Sequence, residues 1–458
     1  MSEHIAILGA GPAGLAAAQA ASRRNVRVSL IGSELPGGRA GWHSLLPSKV
    51  LLAAADCFAA VDGCRSLAIS SAGKPQLNLP ALRARAGDLS RSWSQDQHRH
   101  LRSLGVEFIQ GTARFLAPQR LQIEDPQGSR IEISADTFIL ATGSVPIFPT
   151  GLEPDGVRIL APRFTSKLQS LPESMIVVGG GVTGAETVYA FSRLGVQVRW
   201  VVDADGILPA FPRTVVAGLE AALITQGIDI VRGAKATSTV SLADSIQVEL
   251  EDGRSLVAQS AFIAVGRKPD IAKLNLHAVS LPQDPRIGIA VDRQCRSLVG
   301  RIYAAGDVTG APMTANKAMA QGWTAGLHAS GISSARFHPG QQIEAVYTHP
   351  QVAQVGLQQA DAQDAGVSAQ EIRVELQQSL KSRVLEETQG FLTLVVDAQQ
   401  GRVLGASAFG PHASDLLAPV AIVLKLEGRI SDLEDIFLAH PTLGELVPVA
   451  ARAYRRHP

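Results

Sequence analysis

The chain builds one local design twice. Residues 5–8 are a short apolar run ending in Gly9-Ala10-Gly11-Pro12-Ala13-Gly14, followed by a small-residue helical stretch at 15–22 and an apolar strand at 26–31. Residues 175–178 lead in the same way into Gly179-Gly180-Gly181-Val182-Thr183-Gly184, a helix at 185–194 and a strand at 196–202. Strand, glycine turn, helix, strand is the βαβ unit that holds a dinucleotide. Its first glycine makes the tight turn and its second admits a pyrophosphate to the backbone amides. The third lets the helix approach the strand, with its positive amino end facing the anion. A glycine turn alone is weak evidence, but each copy has the strand before it and the helix after it that the chemistry requires.

Between and after the copies, apolar runs at 138–144, 262–267 and 302–307 read as buried strands ending in turns. Residues 89–104 have helical spacing with many charges, which places His98 and His100 on a solvated face. A final segment from about His338 mixes strands, such as 391–396, with a helix at about 415–426. Pro419 sits near the start of that helix, where a missing amide hydrogen costs little.

The length of 458 residues suggests about three domains. With 46% hydrophobic and 18% charged residues the chain can bury large cores, which excludes global disorder. A net charge of +1 gives no electrostatic case for nucleic acid or an anionic membrane as a partner. No apolar run is expected to reach the roughly 18 residues of a bilayer span. The amino terminus lacks the pattern of a secretory signal, so the expected location is cytoplasmic. The three cysteines, Cys57, Cys64 and Cys295, have no metal-ligand spacing. Cys57 and Cys64 on one helix would lie roughly 10 Å apart, too far for a disulfide.

The order of motifs resembles the class I pyridine nucleotide-disulfide oxidoreductases, which include dihydrolipoamide dehydrogenase, glutathione reductase, mercuric reductase and soluble transhydrogenase. The resemblance covers nearly the whole chain. It implies an α/β fold with two Rossmann-like dinucleotide-binding domains and a C-terminal α+β dimerisation domain. The expected division is an FAD domain at 1–148 and 262–337, an NAD(P) domain at 149–261 and a dimerisation domain at 338–458. Gly9, Gly11, Pro12, Ala13 and Gly14 look like the FAD turn. Gly179, Gly181, Val182, Thr183, Gly184 and Glu186 look like the nicotinamide nucleotide site. Thr142 with Gly143, and Gly266 with Arg267, resemble the interdomain turns. Gly306 and Asp307 resemble the second FAD motif, whose aspartate holds the ribitol. Gly38, Ala113 and Ala315 complete the candidate cofactor-binding set. Tyr347-Thr348-His349-Pro350 resembles the start of the dimerisation domain and His440 to Glu445 its catalytic end, so a homodimer is implied.

The chain departs from the family where the chemistry is most specific. Relatives carry two cysteines in GG-x-C-x-x-x-x-C-x-P-S-K, a redox disulfide beside the flavin. Here the aligned stretch runs from Gly37 to Lys49, and the two positions hold Ala40 and Leu45. Neither side chain can form a thiolate. Lys49 and Glu186 match a pair near the flavin, where a fixed cation would stabilise negative charge; an arbitrary Lys and Glu would form only a surface ion pair. His440 and Glu445 match the pair that moves protons in the relatives. Without the thiols they serve a different acceptor, shape the pocket, or are inert. The acid expected at the end of the strand at 26–31 is replaced by Gly32. Glu34, two residues on, reaches the ribose in its place, or FAD binds without that contact. Arg39 contacts the pyrophosphate or faces solvent, and Trp42 covers the flavin or fills space beside His43. After the second unit, Val202 is followed by Asp203 and Asp205, which tilt the preference toward NADH over NADPH; Arg199 could point either way.

The function these residues imply is FAD-dependent oxidation of NADH or NADPH, with electrons passed to a non-disulfide small molecule such as a quinone or a second nicotinamide. The alternative is a non-catalytic sensor or interaction protein binding the same cofactors. A dithiol enzyme using Cys57 with Cys64 is a third reading.

Overall fold

The structure, a computed structural model, describes residues 3–64, 68–69, 75–332 and 334–455. The first strand, His4–Leu8, is buried along its whole length, as the apolar run at 5–8 requires of a strand covered on both faces. It pairs in parallel with Arg27–Gly32 on one side and Thr137–Leu140 on the other. Glu107–Gln110 and Ile302–Ala304 complete a five-stranded parallel sheet. The helix Pro12–Ala21 starts directly from the glycine turn, with proline in its first turn where no amide hydrogen is missed. It is covered by the helix Ala315–Ala329. Both helices are rich in small residues. A Cβ at Gly322 would collide with the Ala13 carbonyl, and one at Gly326 with the Ala17 carbonyl. Their backbones therefore lie closer than ordinary side chains allow.

The second unit repeats the plan. Ser174–Val178 pairs in parallel with Gln197–Val202 and Ser260–Ile263, and Asp229–Arg232 and Ile159–Leu160 form the edges. Its helix, Val182–Arg193, packs against the helix Leu45–Gly63. The two units are joined by a short antiparallel pair, Ser144–Pro146 with Arg267–Pro269. A five-stranded sheet of antiparallel pairs follows, in the order Glu344–Val346, Gln351–Gly356, Val403–Gly410, Phe391–Asp397, Ala369–Glu375. Helices Ala418–Lys425 and Leu446–Ala453 bury one face each against its core.

Several expectations shift. The charged helix is longer than its periodicity suggested, Leu79–Ser103, because Asn78 caps it by accepting from the Ala81 amide. The runs at 138–144 and 262–267 each break into two strands around a glycine turn with positive φ, at Gly143 and Gly266. The helix expected at 415–426 is divided into Ala413–Leu416 and Ala418–Lys425. The expectation about apolar runs is corrected: Gly38–Val61 is long and apolar enough to match a bilayer span by length and composition alone. That stretch includes Lys49 and puts Leu45, Leu51 and Leu52 on the wall of the central cleft.

Candidate functional site

The two glycine turns have the same geometry for the same reasons. Gly9 and Gly179 both take φ of 118°, and a Cβ at either would run into a neighbouring carbonyl, Ala141 or Ala264. A Cβ at Gly14 or Gly184 would collide with the carbonyl of the first glycine of its own turn. Both constraints are internal to the protein. The middle glycines differ. Around Gly11 and Gly181 a Cβ would meet no atom within 4 Å, and both have extended backbone that alanine also adopts. Nothing in the polypeptide calls for glycine there. A backbone kept bare at the amino end of a helix fits a pyrophosphate bound against the amides.

A cleft of 1230 Å³ runs from the first turn to the second unit and the C-terminal domain. Gly9, Gly11, Pro12 and Ala13 form its floor, while Gly14 lies below them as packing. Glu34, Gly38, Arg39, Ala113, Thr142 and Gly143 line it, as do Arg267, Gly306, Asp307 and Ala315. From the second unit, Val182, Thr183 and Glu186 reach it. Gly179, Gly181, Gly184 and Asp203 lie outside its lining, as does Gly266. The Asp203 carboxylate accepts from the Asp205 amide, and Arg199 faces Asp229 at 3.6 Å.

Lys49 and Glu186, 137 residues apart, meet on the wall of the cleft. Lys49 Nζ donates to both carboxylate oxygens at 2.7 Å. The Tyr347 amide also donates to Glu186 Oε1 at 3.1 Å, and the Tyr347 ring lies 4.6 Å below the ammonium. Glu186 is only 8% exposed, so its charge depends on these partners. The result is a cation held between the Glu186 carboxylate and the Tyr347 ring at the seam between the two units. Burial, and secondarily the Glu186 charge, push the Tyr347 phenol above its usual range.

The interdomain turns meet in a second polar cluster. The Ser144 hydroxyl donates to Asp307 at 2.5 Å and accepts from Arg267 Nε at 2.8 Å. Arg267 also donates to the Ser144 carbonyl, as does Arg39 from the other side. Burial lowers the Arg267 pKa, and the Asp307 carboxylate opposes that shift. Arg39 pairs with Asp270, and the Asp270 carbonyl accepts from Thr142 at 2.7 Å. Arg39 is thus neither free in solvent nor spare for a phosphate, but ties the 37–49 stretch to the interdomain turn. Nearby, the Thr314 hydroxyl is buried in the cleft wall and has no hydrogen-bond partner among the described residues.

His440 Nδ1 and Glu445 Oε1 are 2.9 Å apart, and the Thr442 amide donates to the other oxygen at 2.8 Å. The amide, and then the His440 ring, hold Glu445 below its ordinary range. The pair is formed, yet it lies outside the cleft of its own chain, with the His440 side chain 65% exposed. Cys57 is exposed, Cys64 half-buried and Cys295 fully buried, and none lines the cleft. Burial pushes the Cys295 thiol up to about 12. Trp42 is outside the lining too, its indole N–H buried and without a hydrogen-bond partner among the described residues. His43 reaches Glu34 instead, at 3.2 Å.

Four cleft residues escaped the sequence reading: Tyr347 as a wall of the site, Ser144, Asp270 and Thr314. Ser144 and Asp270 flank the two interdomain turns, which was the available signal. The place of Tyr347 under an ammonium from 298 residues away had none in the sequence.

Residues 3–322 match the pyridine nucleotide-disulphide oxidoreductase family, and residues 343–451 match the dimerisation domain of that family. The chain is 31% identical over 457 residues to dihydrolipoyl dehydrogenase 2 of Haloarcula marismortui, covering 98% of this chain and 96% of that protein. It is also 31% identical over 467 residues to an NAD(P)H dehydrogenase (quinone) of Mycobacterium tuberculosis, covering 100% and 95%. The crystal structure of LpdA from Mycobacterium tuberculosis superimposes with a TM-score of 0.93 at 31% identity, over 98% of this chain and 99% of that one. With its twin glycine turns, its shared cleft and its C-terminal sheet, the chain belongs to the pyridine nucleotide-disulphide oxidoreductase family, whose members are FAD-dependent and work with NAD(P)H.

Proposed function

We propose that the protein oxidises NADH and delivers the electrons to a small non-disulfide acceptor of the quinone class. One observation carries this reading: the Lys49–Glu186 pair is assembled in the cleft, while the two cysteine positions hold Ala40 and Leu45 and the three cysteines lie elsewhere. The bound FAD supplies a two-electron carrier between donor and acceptor. The chain's own residues hold and tune that carrier. Lys49, fixed by Glu186 and Tyr347, places positive charge where negative charge develops, at no reorganisation cost. Asp307, oriented by Ser144, offers a carboxylate to sugar hydroxyls. His440, with its tautomer set by Glu445, is suited to proton transfer from the partner subunit across a homodimer. Asp203 favours NADH, because Arg199 is turned toward Asp229 and is not free for a 2′-phosphate. The quinone-reducing relative at 31% identity supports the acceptor class. The domain limits given above and a cytoplasmic location belong to the same proposal.

The second reading, a non-catalytic sensor, is favoured by Gly32 in place of the ribose-binding acid. Anaerobic mixing with NADH separates the two. The expected outcome is rapid bleaching of the yellow flavin band and its return on adding a quinone, in the double variant Cys57→Ser, Cys64→Ser as in the parent. Flavin that NADH leaves coloured would establish the sensor, and bleached flavin that reoxidises only with lipoamide would sink the acceptor assignment. Lys49→Met is expected to slow bleaching at least tenfold, about 1.4 kcal/mol of barrier, and to cost about 1–3 kcal/mol of stability by stranding the Glu186 carboxylate.

A further inference from the structure

The structure explains Gly32 as more than a missing acid. A Cβ there would lie 2.7 Å from the Ala10 Cβ and 2.8 Å from the Glu34 carbonyl, with the Phe108 ring 3.3 Å away. Any side chain at the strand end is therefore shut out. The space is closed by the chain's own next turn. After Gly32 the backbone folds back over the first glycine loop, and the Gly37 amide donates to the Ala10 carbonyl at 2.9 Å. This fold-back sets Glu34 on the wall of the cleft together with Gly11, Pro12 and Gly38, where the pyrophosphate is expected.

We propose that Glu34, positioned by His43, replaces the strand-end acid as the receptor for the adenosine ribose of FAD. The inference rests on FAD occupying the first glycine turn. A vicinal diol presents two O–H donors, and an ionised carboxylate presents acceptors only. His43 Nε2 meets Glu34 Oε1 at 3.2 Å, and among the described residues no group hydrogen-bonds Oε2. One carboxylate oxygen is thus spent on orientation, and the other remains an acceptor on a side chain that lines the cleft. The hydrogen bond from His43, opposed by partial burial, keeps the carboxyl below its ordinary range and so ionised. His43 follows the short helix Gly38–Trp42, with its amide donating to the Arg39 carbonyl at 2.8 Å. The stretch that carries a cystine in the relatives here supplies a clamp for the other end of the cofactor.

The test compares two flavins that differ in the adenosine half. Flavin-stripped protein is titrated with FAD and with FMN, and binding is followed by flavin fluorescence. Glu34→Gln is expected to raise the FAD Kd about tenfold or more, as loss of a hydrogen bond to a charged group does, and to leave the FMN Kd within about twofold. His43→Ala is expected to raise the FAD Kd by a smaller factor, about threefold, and to add nothing in the Glu34→Gln background. Equal weakening of both flavins, or an unchanged FAD Kd in Glu34→Gln, would overturn the proposal and leave the flavin assignment intact. Parent protein that binds neither flavin would overturn both. Because both side chains are well exposed, at 39% and 45%, the variants are expected to keep the parent's melting temperature, which separates this role from a structural one.

Discussion

The two dinucleotide units share a backbone and differ in how they are enclosed. In both, the first glycine takes the same φ and the third lies against the first. In the first unit the turn is half-buried, its helix is sealed by Ala315–Ala329 through bare glycines, and its loop is folded over by the segment after Gly32. In the second, Gly181, Val182 and Thr183 are exposed, and the helix packs through large side chains, with Tyr189 and Phe191 fully buried. A motif sets what can be bound, and enclosure sets how long it stays. The proposed placement of FAD in the first unit and NADH in the second agrees with this difference in enclosure.

The sharpest way to break this contrast is to force the first unit open. Gly322→Val would drive a side chain into the Ala13 carbonyl and push two helices apart. The expected cost is about 3 kcal/mol, at the upper end of overpacking, together with loss of flavin on dialysis. Purified variant that stays yellow with an unchanged melting temperature would show that the close helix contact does not enclose the site. Next come the middle glycines. Gly11→Ala and Gly181→Ala meet no protein atom, so each should leave apoprotein stability within about 0.5 kcal/mol. Gly11→Ala is expected to weaken FAD by tenfold or more, read by titration of the stripped protein. Gly181→Ala is expected to keep full flavin content and to raise the KM for NADH by a similar factor, about 1.4 kcal/mol. If either variant affects both ligands equally, the units do not divide the labour as their enclosure implies.

The smallest effect concerns pH. The first strand of the first unit opens with His4, 9% exposed, its ring nitrogens 2.9 Å from the Ser29 hydroxyl and 2.8 Å from the Ser134 carbonyl. The matching strand opens with Ser174, which does not titrate. Burial lowers the His4 pKa below 6.5 in the fold, so the neutral ring is favoured there. The stability this contributes is complete above about pH 6.5 and is lost as pH falls through the lowered value. Acidification from pH 7.5 should therefore loosen the first unit before the second. His4→Asn should flatten the fall in melting temperature over that range. An identical acid response in parent and variant would remove His4 as the cause.

How much was legible follows from the range of each interaction. The glycine turns and their strands could be read because every constraint on them lies within one βαβ unit. The Lys49–Glu186 pair came from the resemblance, since nothing in spacing joins residues 137 apart, and His440–Glu445, only five residues apart, rested likewise on the motif it resembles. Arg39 was left between phosphate and solvent because its partner, Asp270, is 231 residues away. Tyr347 stands in the opening motif of the C-terminal domain, and its place beneath an ammonium depends on how the C-terminal sheet docks. At Gly32 the sequence leaves open whether Glu34 reaches the ribose or FAD binds without that contact, and only packing shows that a side chain at position 32 has no room.

The amino-acid sequence by itself determined the two dinucleotide units, the family resemblance, and the presence of Ala40 and Leu45 in the stretch before Lys49, because turn chemistry and residue identity are local properties. Tertiary structure alone decided which unit is enclosed, where Arg39 and His43 spend their hydrogen bonds, and that the three cysteines stand away from the cleft. The Arg39 contacts join segments hundreds of residues apart and are fixed when the domains close on one another, while the His43–Glu34 contact spans nine residues and depends on how the loop after Gly32 folds back.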